Sequence, residues 1–407
     1  MNVNYGEDMY PIVTINKKAA KNLINGGPWV YSEDVTGSEP HENGGVVCVR
    51  GADGHVLGLG FINDASKIRL RLLTRRANQV VGRAFLRSRL EDCVEYRKRV
   101  ADVTSGSSAC RLVFGEADFL PGLTVDKFGG VLVAQFLALG LEPFRDIIVE
   151  ELLDILRGEG AEIAGVYERS DARVRLLEGL EPRAGFIGPA FDTTVRIAEN
   201  GVNFWVDVAN GQKTGFFLDQ KHNRAAIRGF CKGRGVLDCF AYTGSFAINA
   251  AFCGAASVTA LDCSDEALQM ARRNAALNAL PIDIEFVRGD AFELLPEWAR
   301  ERRAFDVVIL DPPAFTKSRA SVNAAAHGYR DINAKAIRLT ARGGFLATCS
   351  CSRFMTPELF YNVVRQAAQS CGRTLRLVEM RQQAPDHPIL PGADETHYLK
   401  FYIYQVL

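Results

Sequence analysis

Four aspartates in the second half of the chain share one position: each stands at, or just beyond, the end of an apolar run that reads as a buried strand. Asp238 closes Val236-Leu237-Asp238, and Asp262 closes Val258-Thr259-Ala260-Leu261-Asp262. Asp290 follows Ile284 to Val287 in Gly289-Asp290-Ala291, and Asp311 closes Val307-Val308-Ile309-Leu310-Asp311. In open α/β sheets, ligands bind outside the carboxyl ends of the strands, and an acid ending the second strand typically takes ribose hydroxyls. An acid after the third strand is placed to meet an adenine amino group. Any one of these acids alone reads as an ordinary helix cap; three at successive strand ends point to a nucleoside-type cofactor. Gly244, in Asp238-Cys239-Phe240-Ala241-Tyr242-Thr243-Gly244-Ser245-Phe246, could admit close approach by it. The segment is not GxGxxG, so the dinucleotide fingerprint fails and a nicotinamide dehydrogenase is disfavoured.

Two further segments carry chemistry. In Asp311-Pro312-Pro313-Ala314-Phe315 the two prolines stiffen the loop and remove backbone donors. Asp311 and the loop carbonyls are then offered to a ligand, and Phe315 to the face of a planar base. In Thr348-Cys349-Ser350-Cys351-Ser352 a cysteine at a strand end could act as a nucleophile if its pKa were lowered. On an extended strand the two thiols point the same way.

These residues need a scaffold. From about residue 195, strands alternate with helical stretches at Ser245–Phe252, Ser264–Asn278, Ala291–Arg300 and Ser321–Leu339. Gly344–Thr348 reads as a fifth strand. The alternation predicts a doubly wound, mostly parallel α/β sheet. Two late strands, Thr374–Met380 and Tyr398–Val406, have little helix between them and suit an antiparallel edge. Residues 1–80 read as short strands with turns, including Asp53-Gly54, and suggest a small β-barrel. Residues 81–192 read as an α+β middle domain, and 193–407 as the third domain.

The chain has 407 residues, with 48 basic and 48 acidic side chains. No apolar run reaches the ~20 residues of a membrane span. The start, MNVNYGEDMYP, lacks a secretory pattern, and the ten cysteines form no CxxC pair. These features predict a cytoplasmic protein with reduced thiols and no metal site. Neutrality argues against indiscriminate polyanion binding. It conceals a local excess, however: Lys67 to Arg111 holds twelve basic and four acidic residues, net +8. Arg69 and Arg71 alternate on a strand, and Lys67, Arg75 and Arg76 flank them, as a phosphate-tracking face requires.

The whole chain resembles the PUA-domain, class I S-adenosylmethionine (SAM)-dependent 23S rRNA (cytosine-C5) methyltransferases. Asn25 to Tyr31, Lys213 to Gln220, Asp238 to Phe246, Asp311 to Phe315 and Ser350-Cys351-Ser352 carry the likeness. It implies a Rossmann-like methyltransferase domain with a seven-stranded sheet, preceded by a PUA-like RNA-binding domain and the α+β domain. It implies that Asp262 holds the ribose and Asp290 with Ala291 the adenine. Tyr242, Thr243 and Gly244 would pass beside the methionine part, Asp238, Asp311 and Pro312 would also bind the cofactor, and Phe217 and Asp219 would help close the pocket. Cys351 would be the nucleophile, and Asp311 would bind the N3/N4 edge of a single-stranded or flipped-out cytosine. The partner is 23S rRNA; no membrane or metal is implied, and a homodimer is compatible. Two departures stand out: Arg353 occupies a usual glycine position, and Cys349 is an additional thiol. The alternatives are a guanine or base-amino rRNA methyltransferase, suggested by Asp-Pro-Pro followed by an aromatic, and a non-catalytic RNA-binding assembly factor.

Overall fold

The computed structural model describes residues 9–316 and 318–407. Residues 1–8, on which the reading of the chain's start partly rests, lie outside the described residues. Among the described residues no helix is long and apolar enough to cross a membrane. The chain forms two compact units. One comprises Met1–Ile197, Val206–Leu218 and Pro385–Thr396; the other comprises Ala198–Trp205, Asp219–Ala384 and His397–Leu407.

The first unit contains two sheets. The strands β1 (Ile12–Ile15), β2 (Trp29–Tyr31), β3 (Val35–Ser38), β4 (Val46–Gly51), β5 (Val56–Ile62) and β6 (Ile68–Thr74) form one, in the order β2-β6-β5-β4-β1-β3. Helix α1 (Lys17–Ile24) follows β1, with Asn16 as its cap. Asp53-Gly54 turns β4 into antiparallel β5, with Gly54 at φ +87°. Then come α2 (Arg83–Val100), β7 (Ala109–Phe114), β8 (Leu123–Phe128), β9 (Val131–Phe136), α3 (Arg145–Gly158), β10 (Gly165–Ser170) and β11 (Arg183–Ile187). Their strands form a five-stranded sheet in the order β11-β10-β9-β8-β7. One apolar cluster joins Phe61 and Leu73 of the first sheet to Leu86 and Leu90 of α2 and Leu112 and Val125 of the second. That shared core explains why the first two expected domains sit inside one compact unit. The hairpin of β12 (Thr194–Glu199) and β13 (Val202–Asp207) follows.

The second unit takes in the end of that hairpin, Ala198–Trp205, and continues with α4 (Lys221–Ala226) and α5 (Arg228–Cys231). Its sheet comprises β14 (Gly235–Cys239), β15 (Ser257–Asp262), β16 (Ile284–Arg288), β17 (Phe305–Leu310), β18 (Thr340–Ser350), β19 (Leu375–Arg381) and β20 (Lys400–Val406). The order is β16-β15-β14-β17-β18-β20-β19; β14 to β18 run parallel, and β20 is antiparallel to both neighbours. The expected doubly wound, mostly parallel seven-stranded sheet is therefore present. Alternate strand residues feed two cores. Leu237, Leu261, Val308 and Leu346 pack with α8 (Ala291–Arg300), α9 (Val322–Leu339) and α10 (Pro357–Ser370). Val236, Val258, Val307 and Ala347 pack with α5 and with α6 (Ser245–Phe252). Burial on both faces is why these strands read as continuous apolar runs.

The remaining helix, α7 (Asp265–Ala276), starts at Ser264, whose hydroxyl accepts from Ala267 N at 3.1 Å. The late strands pair as the antiparallel edge expected, with only a short 3-10 turn at Asp394–Thr396 between them; the stretch before them holds a helix not placed from the sequence. Helix α10 fills it, with Thr356 as cap and Pro357 in its first turn, a start signal visible in the sequence. From β14 the chain winds to β15 and β16, then returns to β17 on the other side of β14. The switch point of the sheet thus falls between β14 and β17, the place where open α/β sheets bind ligands.

Candidate active site

The loop after β14 is sharply contorted. Phe240, Tyr242 and Gly244 have φ of 64°, 49° and 79°. A Cβ at Gly244 would stand 2.9 Å from Ala271 Cβ on α7. This glycine therefore serves the turn and the close packing of α6 on α7. Asp238 is fully buried and accepts from Ala247 N at 2.9 Å, tying the first turn of α6 to the strand end. Burial pushes its carboxyl well up, with the charges of Asp311 and Asp262 adding. Asp262 accepts from Tyr242 N (2.8 Å) and Ser264 N (2.9 Å), one bond on each oxygen. Further lone pairs remain for hydroxyl donors. Asp290 is exposed and caps α8 through Phe292 N at 2.7 Å, with Ala291 buried behind it.

The rim has unsatisfied polar atoms. Asp219 Oδ1, Asp238 Oδ1 and Thr243 Oγ1 are buried without a hydrogen-bond partner. Such orphans are rare in folded proteins and call for a ligand or solvent. Carboxylate oxygens and a hydroxyl suit an ammonium group and ribose hydroxyls, so these residues fit an aminoacyl nucleoside such as SAM.

Beside them lies a tight polar cluster. Asp311 is half-buried at the end of β17, and its Oδ1 accepts the Cys349 thiol at 2.7 Å. Gln220 Nε2 donates to Asp311 Oδ2 at 3.2 Å and to Cys349 Sγ at 3.4 Å; its Oε1 accepts from Asn223 at 2.6 Å. Burial pushes the Asp311 carboxyl up to about 6; the Cys349 hydrogen bond opposes this and the Asp219 charge adds to it. Burial also drives the Cys349 thiol well up, reinforced by Asp311.

Cys351 is different. It stands one residue beyond the end of β18 and is only half-buried. The next residue, Ser352, is fixed on both sides: its hydroxyl donates to Thr316 O at 2.9 Å, and its carbonyl accepts from Lys400 Nζ at 2.5 Å. Lys400 is 2% exposed and also donates to Tyr398 O at 2.8 Å. Burial lowers its ammonium to about 8, and the Cys351 and Cys349 thiols are the ionisable groups that oppose this. Tyr398 in turn donates its hydroxyl to Asp219 Oδ2 at 2.7 Å. One chain of contacts therefore runs from Asp219 through Tyr398 and Lys400 to the loop carrying Cys351.

The structure brings Asp219, Asp238, Tyr242, Thr243, Gly244, Asp262, Asp290, Ala291, Asp311, Pro312, Phe315 and Cys351 into the second unit, at or just after strand ends or, for Asp219, before α4. Phe217 belongs to the first. Phe315 is half-buried and packs on Tyr329, with ring centroids 4.5 Å apart, so one face of the expected base-stacking ring is already covered. Sequence reasoning singled out neither Gln220, Tyr398 nor Lys400 for a role. Gln220 follows Asp219 directly, which was a local cue; Lys400, inside an apolar final strand, was an anomaly that could have been noticed.

The basic segment needs correction. Arg71 is 8% exposed and bonds Glu178 (2.7 Å) and Glu116 (3.2 Å), so it is an internal ion-pair residue, not part of an open face. Arg69 pairs with Asp64. In all, eight of the twelve basic side chains meet carboxylates, most of them from outside the segment. Among the described residues, Lys67, Arg75, Arg76 and Arg89 do not. A local charge count could not see partners as distant in sequence as Glu178.

Among the described residues, no group of three or more His, Cys, Asp or Glu side chains is placed to hold a metal ion. Residues 173–404 match the S-adenosylmethionine-dependent methyltransferase family, and residues 13–75 match the PUA-like domain. The chain is similar over almost its whole length to proteins named ribosomal RNA large subunit methyltransferase I. The chain belongs to that family. The relative from Klebsiella pneumoniae is 37% identical, over 98% of this chain and 100% of its own. That from Aeromonas salmonicida is 40% identical over 96% and 98%, and that from Escherichia coli 38% over 97% and 99%. Among solved structures, a SAM-dependent methyltransferase from Streptococcus mutans shares the fold at TM-score 0.81 and 20% identity, covering 97% of this chain and 99% of that one. The family's cofactor is SAM, which agrees with the orphaned oxygens of the rim.

Proposed function

We propose that the protein methylates C5 of a cytosine in 23S rRNA. The observation that carries this reading is the division between the two thiols at the end of β18. Cys349 is sequestered against Asp311, while Cys351 lies half-buried in a fixed loop next to a buried ammonium. A base-amino methyltransferase has no use for that second thiol. The relatives' names, with their large-subunit rRNA, and the PUA-like domain support the choice of substrate.

C5 of cytosine is a poor nucleophile until C6 is saturated. The Cys351 thiolate adds to C6, forming a C–S bond and pushing electron density toward N3. Asp311, protonated at the start, gives its proton to N3 and accepts a hydrogen bond from N4. SAM, when bound, supplies the electrophilic methyl group that C5 takes. Loss of the C5 proton to water then lets the electrons of the C5–H bond form the C5–C6 double bond and expel the Cys351 thiolate, and N3 returns its proton to Asp311. Asp262 would hold the cofactor ribose and Asp290 its adenine. Asp238 and Thr243 would take the methionine end, with Asp219 beside them. The target base must leave its stack, because C6 is inaccessible within a helix.

The test is a 5-fluorocytosine-containing rRNA fragment. The parent protein should form a covalent RNA adduct stable to denaturant, and Cys351→Ser should form none. Methyl transfer persisting in Cys351→Ser would overturn the C5 reading in favour of an amino-group acceptor.

A further inference from the structure

Among the described residues of the Lys67–Arg111 segment, three of the four basic side chains without a carboxylate partner line one cavity. Arg75, Arg76 and Arg89 border a space of about 620 Å³ in the first unit, between the end of β6 and helix α2. This lies within the ~300–1,000 Å³ span usual for small-molecule sites. The rest of the wall includes apolar and aromatic groups, among them Phe85, Phe119 and Val80. Val80 is 59% exposed and Phe119 38%, an unusual outlay of apolar surface. Phe119 is held at φ 57°, a left-handed conformation that bulky residues rarely adopt. Backbone strain of this kind clusters at ligand clamps.

The arginines are built in rather than loose. Arg89 stacks between two rings, its guanidinium carbon 5.2 Å from the centre of Phe85 and 5.3 Å from that of Phe119. Arg75 reaches only backbone carbonyls, those of Leu23 and Gly27. Burial pulls both guanidinium groups, those of Arg75 and Arg89, below their usual range. Partly desolvated cations without a contacting carboxylate are short of an anion. Asp92, also in the wall, acts on Arg89 through space without pairing to it.

We propose that this cavity is a subsite for one unstacked nucleotide of the RNA, its base lying against the Phe119–Arg89–Phe85 stack and its phosphates meeting Arg75 and Arg76. An anion and a planar ring are the two features that the wall demands together. A nucleotide on a single-stranded segment offers both, and aromatic and guanidinium planes are the usual platform for splayed bases. The inference rests on the RNA-methyltransferase reading and adds a second contact point away from the reacting base.

The experiment measures binding of a fluorescent single-stranded RNA oligonucleotide to the full chain across a salt series. Arg76→Gln should weaken binding and flatten the slope of log K against log salt by about 0.7, the value of one lost single-strand phosphate contact. Phe119→Ala should weaken binding roughly ten-fold with the slope unchanged, because stacking is lost and no charge. SAM affinity by calorimetry should stay at the parent value in both, which shows that the variants are folded. Both variants binding RNA within about two-fold of the parent, with its slope, would overturn the subsite while leaving the methyltransferase reading intact. A parent protein that binds no RNA would overturn the subsite together with the RNA-substrate reading. Loss of 5-fluorocytosine adduct in Cys351→Ser tests the latter separately.

Discussion

The Cys349 thiol donates a 2.7 Å hydrogen bond to Asp311 Oδ1. A thiol in that position cannot readily ionise, because its anion would face a carboxylate inside the protein and both are already pushed toward their neutral forms. The two cysteines that the sequence places two residues apart are thus assigned opposite work. On the proposed cytosine-C5 mechanism, Cys349 would hold the acid that meets the base, and Cys351 would attack it. Cys349→Ser preserves a donor at nearly the same place and should keep at least about a tenth of parental methyl transfer, whereas Cys351→Ser should lose about a thousand-fold or more. Single-turnover assays with tritiated SAM and rRNA distinguish the two, and the reverse ranking would make Cys349 the nucleophile.

Asp311 should write itself into the pH profile. On the proposed mechanism its proton would be needed when charge develops at N3, and burial raises its carboxyl to about 6. Activity therefore falls as pH rises through that value, while the need for a thiolate makes it rise. The two demands give a bell-shaped kcat/KM. Asp311→Asn keeps a hydrogen-bonding group but cannot donate a proton, so its activity is low and the descending limb is gone. The stability consequence has a definite sign. The native state holds the Asp311 proton more tightly than the unfolded chain, whose value is the ordinary 3.8, so this residue's contribution to stability falls as pH rises from about 4 to 6. Thermal melts should show Asp311→Asn above the parent at pH 8, with the gap closing toward pH 4.

Much of the second unit could be read from the residues because every level of its sequence agrees. Val307 to Leu310 is apolar throughout because it is covered on both faces, and Ser264 caps α7 as its position before an acidic first turn suggests. Three of the strand-end aspartates, Asp238, Asp262 and Asp311, were visible for the same reason: each is the first charged residue after a buried run. What stayed hidden depends on contacts far apart in sequence. The bond from Gln220 to Asp311 spans 91 residues, and the one from Lys400 to Ser352 spans 48. Arg71 looked like a surface cation until Glu116 and Glu178 were brought to it across 45 and 107 residues. Helix α10 is another matter, since Thr356-Pro357 marks its start and its apolar residues recur at helical spacing.

Gly244 offers a test of the β14–α6 turn. Alanine there must hold φ near 79° and place a methyl group 2.9 Å from Ala271. The conformation costs about 1–3 kcal/mol, and overpacking adds a comparable amount. Gly244→Ala should therefore lower the melting temperature and weaken SAM binding, since Thr243 and Tyr242 move with the turn. Gly254→Ala, which also has positive φ but meets nothing within 4 Å, should destabilise less and leave SAM affinity unchanged. Calorimetric titration with SAM on both variants decides whether packing against α7, rather than backbone strain alone, sets the cofactor site.

Lys400 should tune the nucleophile. Among the described residues it contacts no carboxylate; its donors go to Ser352 O and Tyr398 O, and the thiols of Cys351 and Cys349 are the acidic groups that act on it. Tyr329, whose hydroxyl is pushed up by burial, faces the same two thiols. Because Cys349 is committed to Asp311, the field of the ammonium acts chiefly on Cys351. A nearby cation favours the thiolate, so removing it should raise the pH at which Cys351 becomes reactive, by about one unit. The measurement is the rate of iodoacetamide labelling of the Cys351 peptide against pH, read by mass spectrometry, which needs neither RNA nor SAM. Lys400→Met should shift the midpoint upward, and Lys400→Arg, which keeps the charge, should restore most of it. The parent's own curve carries a further mark. The Lys400 ammonium titrates at about 8, so its support for the thiolate fades above that pH, and the labelling curve should rise less steeply there than that of a single thiol. A midpoint that is the same in parent and Lys400→Met would leave Lys400 as a fastener of the Ser352 loop with no hold on the thiol.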